Sequence, residues 1–87
     1  MAERHVKVES VVGLHSRPAA EFVKTAAKAP MDVSIGRFTG ESVNAKSILA
    51  VLALDARHGE QLRLRAEGDG AEEILDALAK VIAEPDA

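Results

Sequence analysis

His15 stands in the run Gly13-Leu14-His15-Ser16-Arg17-Pro18-Ala19-Ala20, two positions ahead of an arginine and three ahead of a proline. A neutral imidazole nitrogen is a nucleophile, and histidine is the side chain that ordinarily changes charge near neutral pH. Proline is tolerated in the first turn of a helix, where backbone N–H groups have no intrahelical partner. The run therefore reads as a helix entrance with His15 at its mouth. Unpaired amides and the positive end of a helix dipole hold anions there. A nucleophile, an anion cradle and the fixed charge of Arg17 together fit a histidine that carries a phosphoryl group. No general base is required, because neutral imidazole attacks phosphorus without first losing a proton. Positioning and charge neutralisation do most of such a transfer.

The elements around this run must hold it. Val6 and Val8 alternate with Lys7 and Glu9, the period of a half-buried first strand. A helix then starts about Pro18 and runs to about Ala29, with Ala19, Phe22, Val23 and Ala26 on its buried stripe. Met31, Val33 and Ile35 predict a second strand, Gly36 to Gly40 a turn, and Glu41 to Val43 a short third strand. Ser47 is a good cap for a second helix from Ile48 to about Leu54. That helix is apolar nearly all round, and in so small a chain one side of it should stay exposed. Leu62, Leu64 and Ala66 alternate with Arg63, Arg65 and Glu67 in a fourth strand. Asp69 is a plausible cap for a third helix carrying Ile74, Leu75, Leu78, Val81 and Ile82, and Pro85-Asp86-Ala87 reads as a frayed tail. The order is β-α-β-β-α-β-α. Strands with one apolar face predict an α+β fold: a two-layer open-faced sandwich, with three helices on one face of a four-stranded antiparallel sheet.

The chain has 87 residues, the length of a single domain over residues 1–87, and hydrophobic residues make up 47% of it. Cysteine is absent, so disulfides, thiolate catalysis and cysteine-based zinc sites are excluded. The scattered histidines His5, His15 and His58 lack ligand spacing, and no metal or cofactor is expected; His5 and His58 read as solvated. The net charge is −3 and the aromatic residues are Phe22 and Phe38, a poor composition for nucleic-acid binding. No apolar run is long enough to span a bilayer, and the amino-terminal residues lack a signal-peptide core. A cytoplasmic protein with no membrane insertion is expected.

The motif from Gly13 to Ala19 resembles the active-site motif of HPr, the histidine-containing phosphocarrier of the bacterial phosphotransferase system. Val43-Asn44-Ala45-Lys46-Ser47-Ile48-Leu49 resembles the regulatory-serine region of that family. The resemblance extends over essentially the whole chain and implies a carrier rather than an enzyme. Phosphorylated enzyme I would charge His15, at Nδ1 in the family, and His15 would pass the group to an enzyme IIA domain in sugar uptake. The Ser16 and Arg17 amides and the Arg17 guanidinium would contact phosphate oxygens, and Pro18 would fix the backbone. Ala20, Ile48, Leu49 and Leu52 match a docking surface, rimmed by Arg17, Lys24 and Lys46. Ser47 matches a serine phosphorylated by a dedicated kinase in some branches; as a cap it needs no such role. A monomer is expected.

Three alternatives carry distinguishing features. A hydrolase with a phosphohistidine intermediate would need a base to activate water, and no carboxylate adjoins the motif. Regulatory paralogues that transfer nothing lack the histidine, which this chain keeps. A nitrogen-related carrier shares the active-site motif, and Leu52-Ala53-Leu54-Asp55 followed by Gly59 has some of its character. The turn Arg37-Phe38-Thr39 is slightly longer than the family usually shows.

Overall fold

The computed structural model describes residues 1–84, so the tail from Pro85 to Ala87 lies outside the described residues. Seven elements follow one another: β1 (Ala2–Lys7), α1 (Ser16–Ala26), β2 (Val33–Arg37), β3 (Ser42–Asn44), α2 (Ile48–Ala53), β4 (Gln61–Ala66) and α3 (Ala71–Ala83). The sheet order is β1-β4-β2-β3, and every neighbouring pair is antiparallel. This is the open-faced α+β sandwich expected from the residue pattern.

The alternation in β4 decides which face is covered. Leu62, Leu64 and Ala66 are buried, and they sit opposite Val6, Arg4 and Ala2 of β1. They meet Phe22 of α1 and Leu75, Leu78 and Ile82 of α3 in one core with Val6 and Ile35. The opposite face is polar. There Glu3 accepts from Arg65 Nε at 2.9 Å and pairs with His5 Nε2 at 2.7 Å. His5 also lies 4.4 Å, centroid to centroid, from Phe38. These partners are exposed, and such pairs stabilise little.

Several boundaries differ from the periodicity. β1 starts at Ala2, because the ladder to β4 runs out to Ala66; Val8 lies beyond the strand yet is 1% exposed. α1 begins at Ser16 rather than Pro18 and ends at Ala26, where Lys28 and Ala29 bond back to Thr25 and Ala26 in a tightened turn. β2 begins at Val33 and keeps Gly36 and Arg37 within the strand. Gly36 is a close-approach position rather than a turn residue: a Cβ there would lie 2.7 Å from the Glu41 carbonyl oxygen. Asp69 is not the cap of α3. Gly70 occupies that position with φ +84 and no side-chain cap bond, so Asp69 falls one residue early. Glu72 and Glu73 do occupy the first turn, where the dipole favours acids.

Candidate functional site

Two backbone bonds set the loop ahead of α1. The Gly13 N–H donates to the Ser10 carbonyl at 3.0 Å, and the Leu14 N–H donates to the Ala56 carbonyl at 2.8 Å. Gly13 has φ +80, and a Cβ on it would lie 2.5 Å from the Ala56 oxygen. Only glycine lets the two backbones approach so closely in that conformation. Leu14 plugs the core at 6% exposure. The next residue, His15, is thereby fixed at the helix mouth.

His15 is the N-cap of α1, with extended backbone and no side-chain cap bond. Its carbonyl accepts the Ala19 N–H at 2.9 Å, and the residue is half-buried. Ser16 and Arg17 take the first two helical positions and are exposed. Among the described residues their amides have no backbone acceptor, as the geometry of a helix start requires. Pro18 takes the third position, where it has no N–H to leave unpaired. Arg17 makes no side-chain hydrogen bond or ion pair among the described residues. Its guanidinium can therefore turn toward an arriving anion without first breaking a bond.

An open cleft of about 410 Å³ adjoins this mouth, lined by Val11, Val12, His15, Asp55, Arg57 and His58 among others. Val11 and Val12 are 74% and 67% exposed, an apolar rim that residue periodicity does not single out, since both lie in the loop. His58 is exposed as expected, but it lines the same cleft as His15. The signal for that neighbourhood is tertiary: the α2–β4 connector is brought to the loop by the Ala56–Leu14 bond.

α1 and α2 pack together. Ser47 caps α2, its hydroxyl accepting the Ala50 N–H at 3.2 Å. Val51 is fully buried, whereas Leu49 is 77% exposed and Ile48 and Leu52 are partly so. One side of the apolar helix is thus left in solvent. Ala20 and Lys24 are exposed on α1. Lys46 is tied differently: its Nζ donates to the Ala29 carbonyl at 2.7 Å, closing the turn after α1.

A small open-faced sandwich with a histidine at the N-cap of its first helix, beside amides without backbone acceptors, has the arrangement of a phosphoryl carrier. The family model described as the PTS HPr component phosphorylation site matches residues 2–84. The phosphocarrier protein HPr of Streptomyces coelicolor is 48% identical over 84 residues, covering 97% of this chain and 90% of that protein. The crystal structure of HPr-C-His from Thermoanaerobacter tengcongensis superposes with a TM-score of 0.86 at 39% identity, covering 94% of this chain and 91% of the other. An HPr dimer from the same organism gives a TM-score of 0.71 at 39% identity, covering 94% and 93%. The chain belongs to the HPr family of the phosphotransferase system. It is a phosphocarrier and not an enzyme. Among the described residues no helix is long and apolar enough to cross a membrane.

Proposed function

We propose that His15 accepts a phosphoryl group from phosphorylated enzyme I and donates it to an enzyme IIA domain in sugar uptake. The observation that carries this reading is the position of His15 as N-cap, beside the Ser16 and Arg17 amides that lack backbone acceptors. A ring-nitrogen lone pair forms the N–P bond while the bond from phosphorus to the donor breaks, and that bonding pair leaves with the donor. The amides and the Arg17 guanidinium neutralise charge on the transferring group. The next acceptor reverses the sequence. Ile48, Leu49, Leu52 and Ala20 form the apolar docking face, with Arg17 and Lys24 as its basic rim. Lys46 contributes chiefly by holding the turn after α1.

In this reading the protein works as a cytoplasmic monomer. A phosphate on Ser47, placed by a serine kinase, would put negative charge beside Leu49 and weaken enzyme I docking. The second reading, a nitrogen-related carrier, draws on Leu52-Ala53-Leu54-Asp55 and Gly59. Incubation with enzyme I and phosphoenolpyruvate, followed by a choice between a sugar-type and a nitrogen-type IIA domain, separates them. Faster discharge onto the sugar-type domain supports the first reading, and preference for the nitrogen-type domain supports the second.

A further inference from the structure

We propose that Arg37 and Glu60 form a positioning pair for the phosphoryl-transfer loop, acting through the α2–β4 connector. The proposal rests on His15 being the phosphoryl acceptor.

Arg37, at the end of β2, reaches both ends of that connector. Its Nε donates to Glu60 Oε2 at 2.5 Å, and its Nη2 lies 3.2 Å from Glu60 Oε1. The same Nη2 donates to the carbonyls of Leu54 at 2.8 Å and Asp55 at 3.3 Å. Leu54 is the C-cap of α2, where carbonyls lack intrahelical donors and a cation is favoured. Glu60 Oε1 also accepts the Arg57 N–H at 3.0 Å. One ion pair thus clamps the connector at Leu54 and Asp55 on one side and at Arg57 on the other.

Ala56 sits between those clamp points and is 3% exposed. Its carbonyl is the acceptor for the Leu14 N–H and the atom that Gly13 approaches. Asp55 next to it has φ +50, a left-handed conformation that aspartate tolerates better than most residues with a Cβ and that turns the connector toward Ala56. The route from β2 to the acceptor is therefore short: Arg37, the connector, the Ala56 carbonyl, the Leu14 amide, His15. Transfer geometry is sensitive to small displacements, roughly a hundredfold in rate for 1 Å. Lysine cannot replace Arg37 fully, because its single ammonium nitrogen lacks the planar fork that lets Nε and Nη2 engage both Glu60 oxygens while Nη2 reaches the Leu54 carbonyl.

The test compares Arg37→Gln, Glu60→Gln and Arg37→Lys with wild type. The control is Arg4→Gln, which breaks the pairs to Glu72 and Asp76 between β1 and α3. Two quantities are measured: the maximal rate of His15 phosphorylation at saturating enzyme I with phosphoenolpyruvate, and hydrogen exchange of the Leu14 amide. Arg37→Gln and Glu60→Gln should slow the maximal rate and speed Leu14 exchange, each about tenfold. The loss should fall in the maximal rate rather than in KM, with Arg37→Lys intermediate and Arg4→Gln unchanged in both. If Arg37→Gln does not fold, Glu60→Gln and Arg37→Lys carry the same comparison. Wild-type rate and wild-type Leu14 protection in the variants overturn the positioning pair alone. A wild-type protein that acquires no phosphoryl group on His15 overturns the functional reading beneath it.

Discussion

Replacing Gly13 by alanine tests how the loop before His15 is built. Gly13 has φ +80, and an added Cβ would sit 2.5 Å from the Ala56 carbonyl oxygen. The left-handed conformation costs an L-residue about 1 kcal/mol. The Leu14 N–H bond to that oxygen, 2.8 Å long, contributes about 1 kcal/mol and cannot survive the displacement. Pushing buried Ala56 aside adds about 1–3 kcal/mol of overpacking strain. The total is about 3–5 kcal/mol, against a stability on the order of 5–10 kcal/mol for a domain of this size. The thermal midpoint should fall by at least about 12 °C. Gly59 is the matched control: its φ is +87 but nothing lies within 4 Å of its Cβ position. Gly59→Ala should lose only the conformational part, about 1 kcal/mol or 4–8 °C. Thermal and urea unfolding followed by circular dichroism measure both. Equal losses at the two glycines would refute the claim that backbone contact with Ala56 shapes the loop.

Further outcomes follow from the same geometry. Ser47→Ala should lose about 1 kcal/mol with the cap on the Ala50 amide. Ser47→Asp should keep the cap but weaken enzyme I binding in a titration; unchanged binding would count against Ser47 lying in the docking face. Val51→Ala, at a fully buried site, should destabilise by about 2 kcal/mol in urea. Leu49→Ala, at a site 77% exposed, should leave stability within about 0.5 kcal/mol and raise the KM for enzyme I. The Glu60 carboxyl is held below its usual value, first by the hydrogen bond from Arg37, with its burial opposing. Its folded value is thus lower than its unfolded one, so its contribution is present above the ordinary carboxylate range and lost as pH falls through the folded value. The stability gap between wild type and Arg37→Gln, about 1 kcal/mol at neutral pH for a half-exposed pair, should therefore narrow as pH falls below the ordinary carboxylate range, leaving the part carried by the Leu54 and Asp55 carbonyl bonds. Urea titrations at descending pH measure that gap, and a constant gap would contradict it.

The alternation in β4 and the stripes of α1 and α3 carried the fold, because each buries one face against another element. The motif around His15 was legible for a local reason: histidine, arginine and proline meet within one helix turn. Asp69 misled because a capping side chain one residue early looks the same in sequence, while Gly70 supplies the backbone conformation. Gly36 read as punctuation, although its role is contact with Glu41 and Ser42 across a hairpin. The cleft beside His15 and the reach of Arg37 to Glu60 were invisible, since both join residues far apart in the chain. Lys46 reads from the resemblance as part of the docking rim, and only the fold brings the Ala29 carbonyl within its reach.

The central claim is most directly tested by incubating the protein with enzyme I and phosphoenolpyruvate and locating the adduct by intact mass and peptide mapping. A single acid-labile phosphoryl group on His15, absent from His15→Ala, is the predicted result. An adduct that persists in His15→Ala, or that maps to another side chain, would contradict it.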